Sequence, residues 1–237
     1  DWQRAKWGGF ATKFLKFGEK TAAKYADELI VLSEGTRDYF KEAYGRETVF
    51  IPNGIDVQNE KKADIITKKY GLEKDGYILF LARIVPEKGL HYLIDAFMQT
   101  DTDKKLVIAG GVSHSGEYAK QIHDMAKDDR IIFTGFVEGD ELWELYYNCR
   151  MYVLPSDVEG MPISLLEAMA CCCECLVSDI DTVKNVVGEY GYTFKKSDVN
   201  DLKNKLCEIL GKQKADKAEQ IEYIKNNYSW DEITDRT

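Results

Sequence analysis

Six short, uninterrupted apolar runs separated by helical patterns constrain this chain more than any other feature. They cover residues 77–82, 106–109, 131–134, 151–154, 175–178 and 192–194. A strand with one wet face alternates apolar and polar side chains, so an unbroken run marks a strand covered on both faces. Helical patterns at 91–98, 117–126, 141–147 and 162–170 fall between the runs, and two more follow at 202–210 and 221–228. This alternation predicts an α/β fold: a doubly wound, Rossmann-like parallel sheet of about six strands. In such folds ligands bind outside the carboxyl ends of the strands, where the strand order reverses.

Upstream, 26–33 and 48–51 read as strands and 36–43 as a helix. The turn Pro52-Asn53-Gly54 and the polar stretch 58–64 then mark a domain boundary. Residues 1–56 hold too few elements for a core of their own and read as the tail of a preceding domain plus a linker. Residues 57–228 form the sheet domain, and 229–237 start a last helix, with Ser229 as its cap, that the chain cuts short. Near the start, Trp7, Phe10, Phe14 and Phe17 recur at helical spacing beside Lys6, Lys13, Lys16, Lys20 and Lys24. Such a stripe more often packs on its own domain. The second reading is peripheral contact of residues 1–24 with an anionic membrane surface.

Composition removes several function classes. A formal net charge of −9 argues against non-specific nucleic-acid binding, so no nucleic-acid partner is expected. No apolar stretch reaches the roughly 18–20 residues that span a bilayer, and no signal peptide opens the sequence, so a cytoplasmic location is expected. Four of the six cysteines crowd at Cys171, Cys172, Cys173 and Cys175, while Cys149 and Cys207 are isolated in sequence. His91, His114 and His123 have no ligand-like spacing to them. These read as reduced, structural thiols, and no metal is expected.

The strand ends carry the chemistry. After the first run come Arg83 and Lys88, two cations suited to gripping a diphosphate, one as a planar fork and one as a point charge. Neither a dinucleotide-binding Gly-x-Gly-x-x-Gly nor a Walker-type Gly-Lys-Ser/Thr stands at that turn. After the second run, Gly110-Gly111 permits close backbone approach to a ligand. After the third, Gly135-Phe136-Val137 offers backbone groups and an apolar side chain to a nucleobase. The fourth leads into Glu159-Gly160-Met161-Pro162-Ile163-Ser164-Leu165-Leu166-Glu167. There Gly160 is expected to allow a tight turn and Pro162 to occupy a first helical position. A loop carboxylate and a helix carboxylate then flank free N–H groups, an arrangement for a ligand with an anionic part and a hydroxyl-rich part. Each piece alone also fits a plain turn, a solvated ion pair or a dipole-favoured glutamate; their ordered succession favours a ligand site.

This set resembles the retaining glycosyltransferases of the GT-B fold, specifically family 4. The matching pieces are Ile51-Pro52-Asn53-Gly54-Ile55-Asp56, Arg83 through Lys88-Gly89, Gly110-Gly111, Phe133-Thr134-Gly135-Phe136-Val137, the Glu159/Glu167 element and Val177-Ser178-Asp179-Ile180. The opening residues 1–7 resemble a bacterial rhamnosyltransferase-like subgroup used in capsule and other surface polysaccharides. The resemblance implies a hexosyl transfer with retention from a nucleotide-diphosphate sugar to a glycan or lipid-linked acceptor, without metal or cofactor. By it, Arg83 and Lys88 hold the diphosphate and Glu159 meets the transferred sugar. Glu167 meets the ribose, and the amides of Gly160, Met161 and Ile163 lie at sugar and phosphate. Gly110, Gly111, Phe136, Val137 and Pro162 complete the donor site. It also implies that most of an N-terminal acceptor domain is missing, so that this piece binds donor better than it transfers sugar, in the cytoplasm or on the cytoplasmic membrane face. A non-catalytic nucleotide-sugar binding module and a glycogen-phosphorylase-like enzyme are the alternatives. Two departures from the family pattern stand out: Cys172 where a glycine is usual, expected to strain a positive-φ turn, and Glu174 where a proline is usual.

Overall fold

The computed structural model describes residues 8–111, 116–215 and 217–234. The expectations placed on residues 1–7, His114 and 235–237 lie outside them. In chain order the elements are α1 (Gly9–Tyr25), β1 (Ile30–Val31), α2 (Glu34–Tyr44), β2 (Val49–Phe50), α3 (Ile65–Tyr70), β3 (Tyr77–Leu81), α4 (Leu90–Met98), β4 (Lys105–Ala109), α5 (Gly116–Met125) and β5 (Ile131–Gly135). There follow α6 (Gly139–Asn148), β6 (Met151–Leu154), α7 (Ile163–Ala170), β7 (Cys175–Ser178), α8 (Asp181–Val187), β8 (Tyr192–Phe194), α9 (Val199–Leu210), α10 (Ala218–Tyr228) and α11 (Trp230–Thr234).

The six apolar runs become β3 to β8, joined in one parallel sheet ordered β5-β4-β3-β6-β7-β8. Successive side chains point to opposite faces, and the burial follows that period. Leu79, Val107, Tyr152, Leu154 and Val177 pack with residues of α3, α6, α7, α8 and α10. Ile78, Phe80, Leu106, Ile108, Val153 and Leu176 pack on the other face with α4, α5 and α9. Every residue of the central strands β6 and β7 is buried, whereas the edge strands β5 and β8 are partly exposed. Sheet order reverses between β3 and β6. The chain leaves β3 to build one wing and returns beside it as β6 to build the other.

The upstream segment is sparser. β1 and β2 are two residues each, shorter than the runs suggested, and pair in parallel. Ser33 caps α2 by accepting from Thr36 N at 3.2 Å. A small core of Ala23, Val31 and Phe40 holds α1 to α2 and this ribbon. The expectation that the aromatic stripe packs on its own domain is not met among the described residues. Phe10 is 88% exposed and Phe14 and Phe17 68% each, with Ala23 the buried residue of α1. The partners that α1 meets lie on its other arc, towards α2. The linker and the C-terminal helices cross side by side: Ile55 bridges Ser229 and donates its N–H to Tyr228 O at 2.7 Å. Ser229 caps α11 through Glu232 N at 3.2 Å.

Cys149, Cys171, Cys173 and Cys175 are buried and pack as small apolar side chains, whereas Cys172 is half-buried and Cys207, against the expectation, is exposed. Cys149, isolated in sequence, lies with its sulfur 3.5 Å from that of Cys173, both fully buried. Burial pushes the Cys173 thiol well up, which makes it a poor nucleophile. Cys172 takes φ 59°, the left-handed conformation that disfavours a side chain by ~1–2 kcal/mol. Part of that is offset because glycine loses more chain entropy on folding. Cys172→Gly is therefore expected to raise stability by up to about 1 kcal/mol, read as a higher urea midpoint at an unchanged slope.

Candidate functional site

The loops after β3 and β6 meet above the point of strand reversal. Lys88 Nζ lies 2.5 Å from Glu159 Oε1, with side chains 14% and 7% exposed. Ser156, three residues before Glu159, donates to the same oxygen at 2.6 Å, and its carbonyl accepts from the Ser178 hydroxyl at 2.6 Å. Asp157 N also donates to Glu87 O at 2.9 Å, which binds the two loops through their backbones. Gly89 permits this approach: at φ 67°, a Cβ there would stand 1.9 Å from Pro155 O. A lysine and a glutamate distant in sequence are thus held as one half-buried, oriented pair.

Arg83, at the end of β3, is exposed and makes no ion pair or side-chain hydrogen bond among the described residues. It is a guanidinium free to take an anion, on the same loop as a lysine already facing a carboxylate. Gly110, after β4, lies under the same opening. Its φ is 140°, and a Cβ would stand 2.0 Å from Ala82 O. The carbonyl of Gly111 accepts from Ile84 N at 3.0 Å, which joins the β4 loop to the β3 loop. After β5, Phe136 is 77% exposed, whereas Val137 is 9% exposed and packs in the core. The phenyl ring is therefore the apolar group on offer there, and the Val137 side chain is not.

The Glu159–Glu167 element differs in detail from its expected geometry. Gly160 does not adopt a positive φ, and a Cβ there meets nothing within 4 Å, so the turn does not depend on glycine. Pro162 is the cap residue of α7, extended at φ −74° and ψ 117°, rather than its first helical residue. Its carbonyl accepts from Leu165 N at 3.1 Å. The amides of Ile163 and Ser164 stand in a first turn, where the helix itself supplies no acceptor. The loop is fixed from the linker: Asn53 Nδ2 donates to Met161 O at 2.9 Å, and Asn53 N approaches Met161 Sδ at 3.1 Å.

Glu167 faces a different environment from Glu159. Tyr146 OH donates to Glu167 Oε2 at 2.8 Å, and Tyr152 OH donates to Ser164 Oγ at 2.9 Å. Burial raises the Glu167 carboxyl above its usual 4.5, partly opposed by the Tyr146 hydrogen bond. Hydroxyl donors from a ligand would favour the charged form that burial penalises. Because the folded value lies above the unfolded one, the native state retains a proton that the unfolded chain has released. Stability from this group is complete below the ordinary value of 4.5, declines as pH rises towards the folded value and is level beyond it. Glu167→Gln should flatten that decline in urea midpoints measured across the weakly acidic range. Of the supporting residues, Asn53 and Ser178 stood in the matched motifs without a role, and Tyr146 and Ser156 escaped the sequence reading. Ser156 left a local signal in its spacing from Glu159; Tyr146 left none.

Two larger cavities adjoin the chain's domains. One, of about 570 Å³, opens beside Cys172 and α10, away from these strand ends. The other, of about 470 Å³, includes Glu159 itself and lies between α2 and the loops after β6, β7 and β8.

Fold and strand order together define an α/β domain of the GT-B glycosyltransferase type. Residues 62–228 match the family described as Glycosyl transferases group 1, and the chain belongs to that family. Residues 1–56 match a domain of unknown function, DUF1972. The chain is 32% identical over 149 residues to the serotype-specific mannosyltransferase WbdA of Escherichia coli, covering 60% of this chain and 18% of that protein. It is 29% identical over 231 residues to the lipopolysaccharide 1,2-N-acetylglucosaminetransferase of Salmonella typhimurium, covering 88% of this chain and 60% of that one. In fold it is similar to Anabaena HepE, solved in complex with UDP and glucose: TM-score 0.84 and 20% identity, over 94% of this chain and 65% of that one. The chain thus spans less than two thirds of each of these proteins.

Proposed function

We propose that this chain is the donor-binding part of a retaining glycosyltransferase that builds bacterial surface polysaccharide. The observation that carries the reading is the Lys88–Glu159 pair at the strand reversal, with Arg83 exposed on the same loop as Lys88. A sugar nucleotide bound there places its diphosphate at Arg83, Lys88 and the first amides of α7, and its hexose hydroxyls at Glu159. Its ribose lies at Glu167 and its base near Phe136 and the Gly110-Gly111 turn. In the step we propose, the bond from the anomeric carbon to the departing phosphate breaks while the acceptor oxygen bonds to that carbon on the same face. The acceptor's proton passes to the leaving phosphate. Arg83 and Lys88 supply the positive charge at that phosphate, so no metal or cofactor is invoked.

The relatives that act on mannose, N-acetylglucosamine and lipopolysaccharide favour a hexosyl donor and a glycan or lipid-linked acceptor. The rhamnosyl reading rested on residues 1–7, and a broader hexosyl donor is proposed in its place. No helix among the described residues is long and apolar enough to cross a membrane. A cytoplasmic enzyme touching the membrane through the exposed aromatic arc of α1 fits the proposal. Calorimetric titration with UDP-, GDP- and dTDP-hexoses tests it, since saturable binding of one of them is expected. Absence of binding to every nucleotide sugar would reject the reading.

A further inference from the structure

We infer that Asn53, on the linker before the sheet domain, is a positioning residue that aims the amides at the start of α7 towards the donor's diphosphate. The inference rests on the donor reading above, because it concerns the same amides. A peptide unit is rigid, so holding its carbonyl sets its orientation. The Met161–Pro162 unit is held at its carbonyl by Asn53 Nδ2, at 2.9 Å. The Pro162–Ile163 unit, which carries the Ile163 N–H, is held at its carbonyl by Leu165 N, at 3.1 Å. The pyrrolidine ring locks the φ between the two units, at −74°. One soft dihedral, the Pro162 ψ of 117°, then separates the Asn53 hydrogen bond from the Ile163 N–H.

Asn53 can hold the loop because the linker is itself fixed on both sides. Pro52 and Gly54 are buried. Gly54 lies against Trp230, where a Cβ would stand 2.5 Å from the indole ring, and the next residue, Ile55, donates its N–H to Tyr228 O at 2.7 Å. On the loop side, the Met161 side chain belongs to the same core as Ile55 and receives Asn53 N at its sulfur, at 3.1 Å. Packing thus anchors the Met161 side chain, while the direction of its carbonyl is set by the Asn53 amide. Asparagine suits the place chemically. Its amide donates to a carbonyl without bringing negative charge towards an anionic ligand, whereas an ionised aspartate of the same shape could only accept.

The test titrates UDP, GDP and dTDP into the chain by calorimetry and carries the tightest-binding one to the variants, with urea midpoints measured alongside. Asn53→Ala should raise its Kd about three- to tenfold, the usual worth of one hydrogen bond. Asn53→Asp should lose at least as much at about pH 8, where its carboxylate cannot donate. Divided by the wild-type Kd at the same pH, the Asn53→Asp value should return towards one as the pH falls to about 4, where the carboxyl regains a proton to donate to Met161 O. A residue that only staples the linker would lower the urea midpoint and leave both ratios flat. The inference is overturned if the Asn53→Ala ratio stays within about twofold of one, or if the Asn53→Asp ratio does not move with pH. The second ratio decides alone if Asn53→Ala does not fold. Failure of the wild-type chain to bind any of the three nucleotides would instead reject the donor reading, and the inference with it.

Discussion

Lys88→Ala is expected to lower the turnover of the complete enzyme by about 10²- to 10³-fold, the usual loss for one preorganised electrostatic group at a developing charge. The lysine is well placed for this. Its ammonium sits 2.5 Å from a glutamate that is 7% exposed, in a loop clamped by the Gly89–Pro155 approach and the Asp157–Glu87 hydrogen bond. Little reorganisation is needed when negative charge develops on a leaving phosphate, and low solvent access strengthens the interaction. Removing the ammonium also leaves Glu159 with the Ser156 hydroxyl as its hydrogen-bond donor among the described residues, so donor affinity should fall together with kcat. Lys88→Arg should recover part of the loss, because charge returns but a planar fork replaces a compact ammonium. Steady-state kinetics on both variants, with far-ultraviolet spectra to confirm folding, check this. Unchanged turnover in Lys88→Ala would remove Lys88 from the proposed site.

Glu174→Leu should destabilise the fold by about 3–5 kcal/mol, the cost of leaving one member of a buried ion pair alone. Arg150 and Glu174 are 7% and 1% exposed and contact each other directly. The same guanidinium donates to Ile209 O at 2.6 Å and Lys212 O at 2.8 Å, and Ala215 N donates to Glu174 at 3.3 Å. This network therefore ties the start of β6 and the start of β7 to the connection between α9 and α10. Without the carboxylate, a guanidinium remains buried with two carbonyls and no counter-charge. Replacing both residues, Arg150→Met with Glu174→Leu, should cost much less than the two single changes summed, since an apolar pair needs no desolvated charge. Urea denaturation of the three variants measures the coupling. Additive losses would mean that the ion pair does not act as a unit. The pair also accounts for glutamate at position 174: its side chain is a structural anchor there.

The legible part of the site follows from how local each signal was. Arg83, Lys88, Gly110 and Glu159 stood next to strands whose apolar runs were unmistakable, and a parallel sheet brings such loops to one edge. What those loops do to one another was not legible. The direct contact of Lys88 with Glu159 had no sign in the sequence. Val137 was expected to face a base and is in the core. Pro162 was expected inside a helix and caps it. Each differs by a residue or a few ångströms, and such displacements depend on neighbours contributed by other loops, such as Asn53 on Met161. The short helices α3 and α8 were not foreseen for the same reason. α3 has six residues, and its first amides are capped by Glu144, which accepts from Asp64 N at 3.0 Å and Ile66 N at 3.1 Å.

By itself, then, the sequence determined the six strands, their burial on both faces, the α/β class and the loops that hold the candidate site. Those properties are carried by periods of two and 3.6 residues, which are written along the chain. Tertiary structure alone decided the Lys88–Glu159 pair, the Arg150–Glu174 anchor, the Cys149–Cys173 contact and the cavity beside Glu159. Each joins residues that are distant in sequence, and such contacts come into being only when sheet order brings the loops within reach of each other's charges and hydrogen bonds.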